Sequence, residues 1–266
     1  MKKCLIIAAA ALWLVGSPAS AQDTKPFSHL SIGVGVGTTG IDLQVATPIN
    51  DYIGVRAGYS FIPKIKPSFD VDIDSDEDFL RKEDGSGYYD KAEIEANLNM
   101  GDFKLLADIY PTKKTQFHFT AGFFVGKSKL ASATTTNHFL NKTYWGNSGP
   151  ELGTALNTYT VVSDAEGHVN LDLKVNSFKP YIGIGFGRPV PSKRLNVSFD
   201  FGVQFWGKPA LWTNIDDNDG TEFRKVERDR ILNTQDYCDD IRDGLEIMEK
   251  VVVYPVLTVR LNGRIF

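Results

Sequence analysis

A period-two alternation of apolar and polar residues constrains this chain more than any other feature. In residues 30–37, Leu30, Ile32, Val34 and Val36 alternate with serine and glycine. Successive side chains of a β-strand point to opposite faces, so this segment has one apolar face and one almost bare face. The pattern returns in seven further segments and predicts eight strands in all. They cover residues 30–37, 41–47, 53–61, 103–109, 117–126, 181–187, 195–205 and 253–262.

The two faces of the predicted strands differ in charge. The apolar face has no charged residue, although 23% of the chain is charged. The polar face combines many glycines with six charged residues, Asp42, Arg56, Lys104, Asp108, Asp200 and Arg260. A water-soluble sandwich or lipocalin-like barrel also alternates, but its polar face lies in water, where glycine is a poor strand residue. Glycine instead makes room for large neighbours inside a narrow barrel, which indicates a polar interior and an apolar exterior.

Residues 1–21 are typical of a cleaved secretory signal peptide. Lys2 and Lys3 precede an apolar stretch, and residues 19–21 form a small-x-small cleavage site. We expect residues 22–266 to form one barrel domain. Only Cys238 would remain after cleavage, which leaves no partner for an internal disulfide. The formal net charge of −4 argues against nucleic acid as a partner.

The lengths of the predicted connections alternate as they do in membrane barrels. Residues 48–51, 111–115 and 188–194 form short turns, whereas residues 63–100, 127–176 and 207–250 form long loops; the connection at residues 38–40 is a short exception. Apolar residues at helical spacing within residues 221–250 predict a short amphipathic helix. The expected fold is therefore all-β, an eight-stranded antiparallel up-and-down transmembrane β-barrel with long extracellular loops and a short loop helix.

Four segments carry a resemblance to a known group of proteins. They are LLADIYP at residues 105–111, PYIGIGFG at 180–187, the strand at 195–205 and YPVLTV at 254–259. The chain resembles the small outer-membrane proteins of Gram-negative bacteria, the OmpA-like eight-stranded barrels. The resemblance implies a place in the cell outer membrane, contact with its lipid, and assembly by the barrel-assembly machinery. Members of the group end in an aromatic residue that this machinery reads, and Phe266 resembles that signal.

The six inward charges suggest a function that depends on a closed lumen. Eight strands enclose a space that side chains can fill. Three acids and three bases on the inner face predict an internal salt-bridge network, because buried charges are usually paired. We therefore expect a structural or surface-interaction role, with an extracellular partner bound through the loops. The alternative is a small porin or transporter that passes ions or small hydrophobic molecules.

No cofactor, metal or catalytic residue is expected. Asp72, Asp74, Asp76 and Glu83 have the spacing of a calcium-binding loop, but Glu77 stands where that loop requires glycine, so a solvated acidic loop is the preferred interpretation. A lipid A-modifying enzyme would need a histidine beside a nucleophile or an acid. The four histidines suggest no such triad, and His118 is expected to face the lumen.

Overall fold

The structure is a computed structural model that describes residues 26–74, 78–146, 160–216, 221–231 and 236–265; for residues 236–238 it describes the backbone only. The expected signal peptide, residues 1–21, and Phe266 lie outside the described residues. Fifteen strands and one α-helix are present in the described part. The strands are β1 (Ser31–Gly37), β2 (Gly40–Pro48), β3 (Ile53–Phe61), β4 (Ser68–Asp72), β5 (Lys91–Leu98), β6 (Gly101–Ile109), β7 (Phe117–Gly126), β8 (Lys129–Thr135), β9 (Thr160–Val161), β10 (Asn170–Lys174), β11 (Phe178–Phe186), β12 (Leu195–Phe205), β13 (Ala210–Asp216), β14 (Thr221–Lys225) and β15 (Val253–Arg264), and the helix is α1 (Asp236–Lys250).

Eight of the strands form a closed antiparallel barrel. Its order around the ring is β1, β2, β3, β6, β7, β11, β12 and β15, and β15 pairs back onto β1. Each strand follows its sequence neighbour around the ring, so the barrel is of the up-and-down type. The eight predicted strands and their antiparallel closure are confirmed. No helix in the described part of the chain is long and apolar enough to cross a membrane.

The alternation sets which side chains point inwards. Along β1, Ser31 is buried, whereas Ile32, Val34 and Val36 are exposed on the outside. The same parity holds on β15, where Leu257 and Val259 face outwards. Closure of the ring satisfies the backbone hydrogen bonds of every barrel strand and leaves no open edge.

The long loops differ from the expectation, because they contain a second sheet. Its strand order is β14, β13, β10, β8, β5 and β4, and β9 pairs with β13. These strands adjoin barrel strands along the chain: β5 precedes β6, β8 follows β7, β10 precedes β11 and β13 follows β12. One part of the barrel wall therefore continues beyond the ring as an open sheet, which we call the extension.

The predicted amphipathic helix is present as α1, which covers the second half of residues 221–250 and packs on the extension. Ile241 and Met248 contact a core formed by Ile215, Val226, Ile231 and Leu245. The helix residues at positions 241, 245 and 248 lie on one face of a helix, because neighbours three or four apart do so. The opposite side of the ring has no such superstructure, since β1 and β2 are joined by Thr38 and Thr39 alone.

Candidate functional site

Arg56 is the centre of a charged network inside the barrel. It lies on β3, is fully buried, and donates from Nη1 to Asp200 Oδ2 at 2.9 Å and from Nη2 to Asp200 Oδ1 at 3.0 Å. Nη2 also donates to Asp108 Oδ1 at 2.7 Å. Because β3 and β12 are four strands apart around the ring, the pair formed by Arg56 and Asp200 crosses the full diameter of the lumen.

A second group of charges surrounds Asp42 on β2. Arg260 donates from Nε to Asp42 Oδ1 at 2.6 Å, and Ser60 donates to Asp42 Oδ2 at 2.7 Å. Lys104 also donates to Asp42, and Arg260 reaches Asp200 with a further hydrogen bond. The structure thus brings all six predicted inward charges into one connected network.

Polar neighbours add to this network. His118 on β7 is fully buried, and its Nε2 lies 3.1 Å from Asp200 Oδ1. Thr120 donates to Asp108 Oδ1 at 2.8 Å. A buried charge is tolerated when its hydrogen bonds and counter-charges are supplied by the protein. Each of the three carboxylates is contacted by guanidinium, ammonium, imidazole or hydroxyl groups, as in a structural bridge. Two atoms of the network, Asp108 Oδ2 and Arg56 Nε, are buried without a hydrogen-bond partner among the described residues.

A further ion pair was missed by the sequence analysis. Lys179 on β11 donates to Asp102 Oδ1 on β6 at 2.6 Å, and both residues are buried. The alternation of inward and outward positions could have revealed this pair. Lys179 lies two residues before the inward Tyr181, and Asp102 lies two residues before the inward Lys104. The predicted strands began after both residues, so their inward position was not recognised.

Apolar side chains also cross the lumen beside the charged network. Leu106 on β6, Phe124 on β7, Tyr181 on β11 and Val256 on β15 form one buried cluster. Since β6 and β15 are also four strands apart in the ring, this cluster too spans the lumen. A second cluster of Leu130, Val175 and Trp206 lies at the junction with the extension.

Glycines on the inner face give these large side chains their space. A Cβ atom on Gly202 would lie 2.5 Å from Tyr181 Oη, and one on Gly185 would lie 2.6 Å from Asp200 Oδ1. Real Cβ atoms do not approach that closely, so a side chain at either position would displace its neighbour. The glycine-rich inner face therefore reflects the filling of a narrow lumen.

The end of the barrel with the short turns contains a cavity that reaches the charged network. Arg56, Asp108, Tyr110 and Arg188 are among its lining residues. The Arg188 guanidinium lies 4.3 Å from the centre of the Tyr110 ring and donates to the backbone oxygen of Lys113 at 2.7 Å. Arg188 thereby ties the turn at residues 187–194 to the turn at residues 110–116.

The outer surface of the barrel is an apolar band with aromatic residues near both ends. On β12, Leu195, Phe201 and Phe205 are exposed. The rings of Tyr59 and Phe103 lie 4.7 Å apart near the extension, and those of Phe117 and Phe119 lie 5.1 Å apart near the short turns. The 11 residues of β12, at ~3.3 Å per residue and a tilt of about 40°, give a band roughly 25 Å tall, the height that a membrane barrel needs.

Charged and aromatic residues in the extension hold its loops together. Glu83 accepts a hydrogen bond from the Lys142 backbone at 2.9 Å and one from the Tyr89 hydroxyl at 2.9 Å. The Lys142 amide is the main cause that lowers the pKa of Glu83 below its usual value. His138 stacks on His168 with ring centres 5.2 Å apart.

The expected solvated acidic loop is described only in part. Asp72 lies exposed on β4, and Asp76 lies outside the described residues. Glu83 is engaged by Lys142 and Tyr89, as described above. Within the described ranges, no group of three or more potential metal ligands is present.

Comparisons with known proteins give only distant similarities. No family model and no curated protein matches the chain. Among solved structures, Acinetobacter baumannii CarO2 is 18% identical and covers 91% of this chain and all (100%) of its own, with a TM-score of 0.47. Acinetobacter baumannii CarO is 17% identical; the match covers 90% of this chain and 97% of CarO, with a TM-score of 0.44. A major outer membrane protein from Thermus thermophilus is 15% identical; the match covers 89% of this chain and 98% of that protein, with a TM-score of 0.31.

Proposed function

We propose that this chain is an outer-membrane β-barrel with a closed lumen, whose extension presents a surface outside the membrane. The apolar exterior supports the membrane location, because contiguous exposed apolar surface of this size is rare in soluble monomers. The placement follows the convention of such barrels, in which short turns face the periplasm and long connections face outwards. The role is structural or one of surface interaction, with a partner bound by the extension.

The observation that carries this proposal is the double closure of the lumen. Arg56 and Asp200 bridge the ring with two hydrogen bonds, and the cluster that contains Leu106 and Val256 bridges it with apolar contacts. Both closures use buried side chains held by several strands, so ions find neither a wide nor a continuous polar path. The barrel then serves as an anchor rather than as a pore.

Single-channel recording tests the closed lumen. The purified full chain, reconstituted in a planar bilayer, should give no discrete conductance steps. Phe124→Ala and Tyr181→Ala, combined with Arg56→Ala and Asp108→Asn, remove two rings of the apolar closure and the charged bridge together and should produce steps. Phe103→Ala combined with Phe201→Ala removes two lipid-facing rings and should remain silent. Discrete steps from the unaltered chain would refute the closed-lumen proposal.

A narrow pore is the second candidate function. The cavity at the short-turn end supports it, because this cavity reaches Arg56 and Asp108 in the charged network. A pore would require the apolar closure to move aside. The same recording decides between the two functions, and steps from the unaltered chain would favour the pore.

An enzyme acting on lipid A is the weakest of the three functions. Its reactive residues would have to reach the lipid, whereas His118 is fully buried and bound to Asp200 inside the barrel. Unchanged lipid A mass spectra in cells that overproduce the chain would be the expected result. A new lipid A species would contradict the non-enzymatic role.

The membrane location and the assembly route need their own test. The chain should fractionate with outer membranes and migrate faster on gels before heating than after, as folded barrels do. Phe266 remains a proposed signal for the barrel-assembly machinery. Its deletion should lower the amount of folded protein in the membrane of cells without altering refolding of the purified chain in detergent.

A further inference from the structure

The segments that join the barrel to the extension and to α1 have an unusual charge. They are residues 62–67, 98–101, 126–129, 174–178, 206–209 and 250–252, and they contain no aspartate or glutamate. Across the whole chain, by contrast, 33 acidic residues outnumber 29 basic ones. The segments contain seven lysines, which we call the lysine belt: Lys64, Lys66, Lys127, Lys129, Lys174, Lys208 and Lys250.

Two members lie close along the chain to residues of the apolar outer surface. Lys127 is two residues beyond Val125, an exposed residue near the end of β7, and Lys174 is four residues before Phe178, the exposed first residue of β11. Between Lys174 and Phe178, Val175 joins the buried cluster at the junction with the extension. The belt therefore lies at the level where the barrel wall passes into the extension.

The belt has more positive charge than its neighbours neutralise. Lys66, Lys129 and Lys250 pair with Glu95, Asp172 and Glu246 at 2.8, 2.6 and 2.7 Å. Among the described residues, no carboxylate forms an ion pair with any of the other four lysines, which are Lys64, Lys127, Lys174 and Lys208.

Two belt lysines are even direct neighbours across a strand pair. Lys174 on β10 is the register partner of Lys129 on β8. Like charges in that position destabilise a sheet unless something compensates them. Asp172 compensates Lys129, and the Trp212 ring, whose centre lies 3.7 Å from Nζ, compensates part of the charge of Lys174. Lys174 keeps a positive charge that no carboxylate of the described residues pairs with, and this charge is available to an external anion.

We propose that the lysine belt binds the phosphate groups of the anionic glycolipid in the outer leaflet. The proposal rests on the membrane location proposed above, which puts these lysines at the level of the lipid headgroups. Ammonium groups attract phosphate as point charges, and several of them near a membrane surface act together. The opposite side of the ring offers no such site, because the β1–β2 turn, Thr38 and Thr39, is uncharged. Lipid binding is therefore confined to the side with the extension.

Native mass spectrometry of the full chain in zwitterionic detergent tests the belt. The probes are lipid A with its phosphates and dephosphorylated lipid A. The test variant is Lys127→Gln, Lys174→Gln and Lys208→Gln combined, and the charge-matched control is Lys82→Gln, Lys91→Gln and Lys142→Gln combined, which lie in the extension away from the junctions. The test variant should bind lipid A about 10- to 100-fold more weakly than the unaltered chain, and the control should stay within about twofold.

Three results would overturn the proposal that the lysine belt binds lipid phosphate groups. One is equal loss in the test variant and the control, which would indicate general charge attraction. Another is equal binding of lipid A and dephosphorylated lipid A by the unaltered chain. The third is complete displacement of lipid A by millimolar inorganic phosphate, which would indicate a site for the free ion. Failure of the unaltered chain to insert into lipid vesicles would refute the membrane location itself, so the two failures are distinguishable.

Discussion

At the scale of single residues, the barrel depends on a guanidinium that serves two carboxylates at once. Arg56 offers Asp108 and Asp200 a planar, forked donor, and no ammonium group can reproduce this geometry. Asp200 has a second cation in Arg260, whereas Asp108 depends on Arg56 for its closest positive charge. Loss of Arg56 would therefore leave Asp108, more than Asp200, without a nearby counter-charge.

We predict that Arg56→Met destabilises the barrel by about 3–5 kcal/mol, because it leaves a buried carboxylate without its counter-charge. The combined variant Arg56→Met with Asp108→Asn should recover part of that loss, since the orphaned charge is removed as well. Urea unfolding in lipid vesicles, followed by tryptophan fluorescence, measures both. Equal destabilisation of the single and the double variant would contradict the prediction.

The inward charges on the predicted strands followed from the sequence because side-chain direction in a strand has a period of two. Once Ile32 and its partners define the outside, Arg56 and Asp200 must lie inside. The alternation tells which face of a strand a side chain lies on, but it does not tell where the strand begins. For this reason Lys179 and Asp102 were missed. Which carboxylate each cation contacts depends on how the ring closes, and a single sequence does not contain that information.

At the scale of elements, β11 and β12 illustrate how backbone spacing and side-chain volume are matched. Tyr181 on β11 lies over Gly202 on the neighbouring strand. The ring thus occupies space that any larger residue at position 202 would need. Gly54 lies on a barrel strand as well, but it has free space beside it. A Cβ atom on Gly54 would lie 3.8 Å from its nearest neighbours.

We predict that Gly202→Ala destabilises the barrel by roughly 1–3 kcal/mol through overpacking. Gly54→Ala should change stability by less, because a methyl group fits there in ordinary van der Waals contact. Unfolding midpoints of the two variants in the same vesicles provide the comparison. A larger effect at Gly54 than at Gly202 would count against the lumen packing described above.

The extension was not predicted because its strands give weak signals. Strands β4, β10 and β14 have five residues each, too few for a reliable alternation. Their polar residues and the acidic run at residues 70–78 are typical of a solvated loop. The pairing of β8 with β5 and β10 is set by the barrel strands beneath them, so it becomes apparent only after the ring is built.

At the scale of the whole molecule, the barrel and the extension have separate sources of stability. The barrel closes through its own strand pairs and its own charge network, whereas the extension has a core of its own around Ile215 and Leu245. The two share a backbone path and the cluster around Trp206. The barrel should therefore fold without the extension.

We predict that replacing residues 62–100, 127–177 and 206–252 with turns of about four residues leaves a folded barrel. The shortened chain should still migrate faster before heating than after heating on a gel, because its ring of eight strands is intact. A second shortened chain that also lacks β15 should lose this behaviour. If the first chain behaved like the second, the extension would be required for folding.

The pairing of β1 with β15 has a consequence for the order of events during biogenesis. Ser31 pairs with Arg264, so the ring is sealed by residues from opposite ends of the barrel sequence. The same last strand brings Arg260, which donates to Asp42 at 2.6 Å. Until it arrives, two strand edges lack hydrogen-bond partners, which a hydrocarbon environment does not tolerate. In the membrane location proposed above, sealing of the seam, completion of the charge network and entry into the bilayer core would be coupled, and the final strand would determine when all three occur.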